Sequence, residues 1–205
     1  MRASRWSLMR LGGFVLFMAL LLPGRAATAA TAHHYTIDQR YGSVGFSVSE
    51  LGLFDAVGNF QKFAGELAID TTNPERSRID VVIAVGSVAM SSERAVGLLL
   101  SPAYFDVERY PAIHFRSTSV QAMGHGRYLI SGSLRIRGVT EPELLTAVLT
   151  AEKRAAEGPL TAWFTVSGTL SRSRFGMTAN QNFLGDRVHI VIHIHLALPG
   201  LDRAG

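Results

Sequence analysis

The chain has 205 residues, 20 Lys+Arg against 16 Asp+Glu, 47% hydrophobic residues and no cysteine. Four of the arginines (2, 5, 10 and 25) precede residue 30, where no acid stands, so the remainder carries 16 charges of each sign. That balance excludes a broad basic nucleic-acid footprint, and without disulfides the fold must hold together by burying a core, which the length allows for one domain.

The N-terminus reads as a targeting segment. Arg2, Arg5 and Arg10 precede the apolar run LGGFVLFMALLL (11–22). Pro23-Gly24 ends that run, and AATAATA (26–32) offers A-x-A sites at Ala27/Ala29 and Ala30/Ala32. This order is that of a secretory signal peptide. Twelve apolar residues are well short of the roughly 20 that span a bilayer. The expectation is a cleaved leader over 1–32, a single domain over 33–199 and a periplasmic location.

From there the chain reads as strands. YGSVGFSV (41–48) sets Val44, Phe46 and Val48 against Ser43, Gly45 and Ser47. RIDVVIAV (78–85), GRYLISGSLRIRG (126–138) and TAWFTVSGTL (161–170) repeat the alternation. Period two with one polar face marks antiparallel strands that are dry on one side. Turn signals fall between them at Asn73-Pro74, Gly124-His125-Gly126 and Glu157-Gly158-Pro159. Candidate strands cover 34–38, 43–49, 61–70, 78–86, 112–121, 127–137, 143–154, 160–171 and 187–198. Several are long, and long meandering strands favour a closed barrel, which leaves no exposed edge. The fold class predicted is all-β: one antiparallel, eight-stranded, lipocalin-like barrel, with one or two short helical turns within 91–105 ahead of Pro102.

Four phrases in order become specific: HYTIDQRYGSVGFSV (34–48), FDVERYPAIHF (105–115), GSLRIRGVTEP (132–142) and SRSRFGM (171–177). Together they resemble the YceI-like family of exported lipid-binding barrels, over essentially all of 34–198. The resemblance implies a lipocalin-like barrel whose apolar tunnel takes a polyisoprenoid or related tail. Where members often carry R-D-x-H-L-R/K-S-P, this chain has AVGLLLSP (95–102), with Arg94 just upstream. SRSRFGM keeps Arg172 and Phe175-Gly176 but has Arg174 where an acid is common.

The last strand poses a choice. RVHIVIHIHLAL (187–198) carries His189, His193 and His195 on one face and an unbroken aliphatic row on the other. With His33 or His34, the histidines supply donors for a metal site; this is the alternative function, a metal-binding protein or metalloenzyme. In a barrel with a dry interior the aliphatic row faces inward, the histidines face water, and no metal ligand is assigned. The pattern alone fits a side-chain-filled core equally well; the resemblance implies a tunnel, lined by Phe46, Val48, Phe63, Ile83, Phe115, Ile130, Leu134, Phe164, Val166, Phe175, Ile190 and Ile192. Ala68, Gly132 and Gly168 are the small inward residues that leave room. Leu98, Leu99 and Phe105 form a greasy lid or plug, and Arg94, Arg172 and Arg174 are candidate head-group contacts.

Catalysis gains little. The sequence has no cysteine nucleophile, G-x-S-x-G elbow or P-loop, and Asp38, Glu50, Asp55, Glu66, Asp70, Asp80, Asp106 and Asp186 show no pairing by spacing. The expected protein is a soluble periplasmic carrier, not an enzyme. It has no cofactor beyond a bound isoprenoid lipid or quinone-like ligand and no nucleic-acid partner; transient membrane contact and a homodimer stay open.

Overall fold

The computed structural model describes residues 32–198, except 51, 155, 157 and 158; the leader read in 1–32 lies outside them save for Ala32. Eleven strands run in the order β1 (His33–Asp38), β2 (Gly42–Glu50), β3 (Phe54–Phe60), β4 (Phe63–Ile69), β5 (Arg78–Ala84), β6 (Val88–Met90), β7 (Ala112–Gly124), β8 (Arg127–Ile136), β9 (Val139–Arg154), β10 (Leu160–Ser171) and β11 (Leu184–Leu198). One helix, α1 (Glu93–Leu100), sits between β6 and β7. Every strand pair is antiparallel, in the sheet order β1-β4-β5-β7-β8-β9-β10-β11-β2-β3-β6.

The eight-stranded expectation differs from eleven segments for a geometric reason. Residues 33–50 form one bent stave, because β1 pairs with β4 and β2 with β3 in nearly continuous register: His33 faces Ile69 and Glu50 faces Phe54. Residues 54–69 form a second bent stave, broken only at Gln61-Lys62. Residues 78–90 form a third, broken by the 3₁₀ turn Val85–Ser87. Together with β7 to β11 these make eight staves, and the pairing of β11 with β2 closes the sheet on itself. Bends of this kind let a twisted sheet curl into a ring.

Two strands lie outside the predicted set, β6, which is the short continuation of β5, and β3. FDAVGNF has Gly58 and Asn59 where a strand signal needs branched or aromatic residues, and only pairing on both sides makes it extended. The helix prediction needs only a small extension. Ser92 caps α1 by accepting from the Ala95 N–H, and Val96, Leu99 and Leu100 pack against the core.

The buried side chains are the inward half of each stave, among them Val44, Leu67, Ile113, Ile130, Leu134, Ala162 and Leu196. Ala68 is a correction: it opposes His34 and Arg78 on the outer face, because the inward set of β4 is Phe63, Gly65 and Leu67.

The seam between β2 and β11 depends on close approach at Gly42. A β-carbon there would stand 2.1 Å from the His193 carbonyl oxygen. Gly42→Ala is therefore expected to push the seam apart and cost about 1–3 kcal/mol, read as a lower urea midpoint. An unchanged midpoint would show that this seam does not limit stability.

Candidate functional site

The inner face encloses one elongated cavity of about 300 Å³. At the α1 end its wall includes Leu99, Tyr104 and Phe105, and at the opposite end Ile69, Thr71 and Pro74. Between them the wall is aliphatic and aromatic, supplied by alternate residues of all the long strands. Chain order explains the geometry. β7, β8, β9, β10 and β11 are each at least ten residues long, so their inward rows run along much of the bore.

Phe46, Val48, Ile83, Leu99, Phe105, Phe115, Ile130, Leu134, Phe164, Val166, Ile190 and Ile192 all face the cavity. Three predicted residues do not. Leu98 is exposed, since neighbours on a helix point about 100° apart and only Leu99 can turn inward. Phe175 is 1% exposed, but it sits in the 3₁₀ turn Arg172–Phe175 and packs into the core beyond the bore. Phe63 is buried opposite Ile83 at the bend between β3 and β4, where its ring packs against neighbouring staves and not on the cavity wall.

Gly132 works differently from expectation. A β-carbon there would lie 2.4 Å from the Phe115 ring. The glycine therefore lets that ring lie flat against the wall, which keeps the bore clear.

The three arginines separate. Arg94 is exposed on α1 and away from the cavity. Arg172 is 3% exposed. Its Nε donates to the Gly185 carbonyl (2.9 Å), Nη1 to Met177 (2.6 Å) and Ala179 (2.8 Å), and Nη2 to Leu184 (2.9 Å). Four of its five N–H groups are thus spent on backbone, and the residue acts as a clamp on the loop entering β11. Arg174 is half exposed, pairs with Glu141, and holds Nη1 at 4.0 Å from Glu143 Oε1.

Glu143 is the residue that sequence reasoning missed. It faces inward on β9 opposite Gly132, lines the cavity, and its side chain is 8% exposed. Burial pushes its carboxyl above the ordinary carboxylate range, Arg174 pulls it down, and Glu141 pushes it up. Period-two reading from Ala147 and Leu145 would have put it on the inner face.

The histidines face outward. His189 Nδ1 meets Thr169 Oγ1 at 3.0 Å, and His193 Nδ1 meets Thr165 Oγ1 at 3.2 Å. The His195 ring stacks on Trp163 and tilts against Tyr41. Each is engaged with its own cross-strand neighbour, and among the described residues no three His, Cys, Asp or Glu side chains gather as a donor set.

Fold and cavity together define an all-β, lipocalin-like barrel with an apolar interior. Residues 35–196 match the YceI-like domain, and the chain belongs to that family. A UPF0312 protein of Photorhabdus laumondii is 32% identical over 178 residues, covering 86% of this chain and 91% of the relative. One from Shewanella denitrificans is 33% identical over 165 residues, covering 80% and 84%. Among solved structures, Burkholderia cenocepacia BcnA superposes with a TM-score of 0.70 at 20% identity, covering 78% of this chain and 99% of BcnA. A polyisoprenoid binding domain from Saccharophagus degradans, implicated in plant cell wall breakdown, gives a TM-score of 0.57 at 14% identity, covering 82% and 99%.

The clamp role of Arg172 is testable. Arg172→Met orphans the buried Met177 carbonyl and three part-buried ones and should cost about 3 kcal/mol in urea denaturation. A variant with undiminished stability would return Arg172 to the head-group role.

Proposed function

We propose that this protein is a soluble carrier that holds a long isoprenoid or similar lipid tail in its barrel, exported to the periplasm by the leader at 1–32. The observation that carries the reading is the cavity: about 300 Å³, elongated, and walled almost wholly by hydrocarbon side chains. At about 0.8 kcal/mol per buried methylene, a tail of a few tens of carbons has ample gross driving force even after ordering costs. Membership of the YceI-like family and the fold shared with a polyisoprenoid binding domain support the same class of ligand.

The polar chemistry also favours binding over catalysis. Of the three charged residues on the cavity wall, Asp70 accepts from the backbone N–H groups of Thr72 and Asn73, and Arg172 is spent on carbonyls. Leu53 and Phe54 at the β2–β3 hairpin and Phe183 beside β11 are exposed. Leu184 pairs with Glu50, which brings both segments to one end of the barrel. They supply an apolar rim for transient contact with a membrane during loading.

Native mass spectrometry of gently purified protein should show an organic-extractable adduct of lipid mass. Val166→Trp, which fills the bore from a half-buried wall position, should abolish that adduct and leave the unfolding midpoint nearly unchanged. Bare polypeptide mass in repeated wild-type preparations would defeat the proposal.

A further inference from the structure

Among the described residues on the cavity wall, Glu143 alone carries a buried side-chain oxygen without a hydrogen-bond partner. Asp70 and Arg172 are satisfied by backbone, as described. Glu143 Oε1 is buried and has no hydrogen-bond partner. The Tyr35 hydroxyl is also buried without a partner, but Tyr35 is not on the cavity wall. A buried carboxyl oxygen without a hydrogen bond costs stability, and in an apolar wall a leucine at the same place would avoid that cost.

Its surroundings grade from wet to dry. The Arg174 side chain is 47% exposed, Glu141 24% and Glu143 8%. Arg174 is engaged by Glu141 at the rim, and its guanidinium stands too far from Glu143 for a hydrogen bond. Across the sheet, β8 opposes Glu143 with Gly132, and the Phe115 ring covers that glycine. The carboxyl therefore meets the bore beside an aromatic face with one long ion pair to Arg174 and no hydrogen bond to Oε1.

We propose that Glu143 is the polar anchor of the tunnel, hydrogen-bonding an oxygen on an uncharged head of the lipid, a carbonyl or a hydroxyl. This rests on the lipid-tunnel reading and adds a head-group class to it. A phosphate head is disfavoured. The carboxyl would repel it whenever ionised, and the one deeply buried cation nearby, Arg172, is committed to carbonyls. The neutral acid donates to a carbonyl, whereas the carboxylate can only accept, and so can only serve a hydroxyl. Burial favours the neutral form. The other charged groups at this end include Glu141 on the same strand, Arg137 in the β8–β9 turn, Arg172 and Arg174 on the turn after β10, and Asp186, which accepts from the Ser173 N–H.

The test loads the protein from liposomes carrying squalene, a long-chain prenol, the corresponding prenyl phosphate or a quinone with a prenyl tail, and quantifies extracted lipid. Wild type should take up the prenol and the quinone about tenfold better than squalene or the phosphate, the worth of one hydrogen bond. Glu143→Leu should bring both down to the squalene level with squalene loading unchanged, which also shows that the variant is folded. As pH rises through the raised Glu143 titration, wild-type quinone loading should fall as the donated proton is lost, while prenol loading persists. Glu143→Gln, whose amide donates without titrating, should bind quinone independently of pH. Undiminished prenol and quinone loading by Glu143→Leu, or preferential loading of the phosphate by wild type, would overturn the assignment. If wild type loads none of the four, the tunnel reading itself falls and this assignment with it.

Discussion

A closed antiparallel ring sends every second side chain into one shared interior, and that constraint governs the rest of this structure. No second layer packs against the inner face, so the inward residues must either meet across the axis or leave a bore. Here they leave a bore, which a ring of eight staves permits without requiring it. Phe115 would narrow it, yet Gly132 gives the ring space to lie against the wall. The apolar character of the lining follows from the same closure: an inward polar group has no water and must find a partner in the wall. Asp70 and Arg172 do so, and Glu143 Oε1 makes no hydrogen bond.

This constraint made much of the fold legible in the sequence. The alternation in 161–170 and 187–198 identifies Phe164, Val166, Ile190 and Ile192 as inward without any coordinates, and the register of β10 with β11 places them side by side on the cavity wall. Legibility failed where the chain leaves period two. Leu98 and Leu99 are adjacent in a helix, so one had to face away. Phe175 lies in a 3₁₀ turn, where hydrophobicity reports burial but not direction. Phe63 lies at a bend that sequence does not mark, and the glycine-containing β3 becomes a strand only through its neighbours. Glu143 was hidden for another reason: an acid in a period-two pattern reads as the wet face, although its strand's inward phase continues through it.

Three of the four phrases that carry the family resemblance meet at one end of the barrel. Arg137, in GSLRIRGVTEP, donates to the carbonyls of Gly176, in SRSRFGM, and of Pro102, just before FDVERYP. The Arg137-Gly138 turn joining β8 and β9 has positive φ at both residues, the geometry of a tight type I′ hairpin. Asp106 also takes positive φ, a conformation its short side chain tolerates, and its carbonyl accepts from Arg109 and Tyr110. Tyr104 is buried and accepts from Asn180 across the same end. These motifs build the closure of the barrel; the lining is built by strands whose sequence need only alternate.

That division explains how this chain can lose the polar R-D-x-H-L-R/K pattern before Ser101-Pro102 and keep the fold. The segment AVGLLLSP forms α1 and its exit, and what the barrel requires of it is apolar cover: Val96, Leu99 and Leu100 against the core, with Ser101 closing the helix by donating from its hydroxyl to the Leu98 carbonyl. Polar side chains there would add contacts to a ligand but are not needed to seal the end. With α1 made greasy, Arg172 committed to the β11 loop and Arg137 to the carbonyls of Gly176 and Pro102, the groups Arg174, Glu141 and Glu143 step inward from solvent. Arg174 and Glu141 neutralise each other at the rim. The innermost position is thereby left to a carboxyl that burial inclines toward its neutral form, and an uncharged oxygen is the ligand group such a wall accommodates.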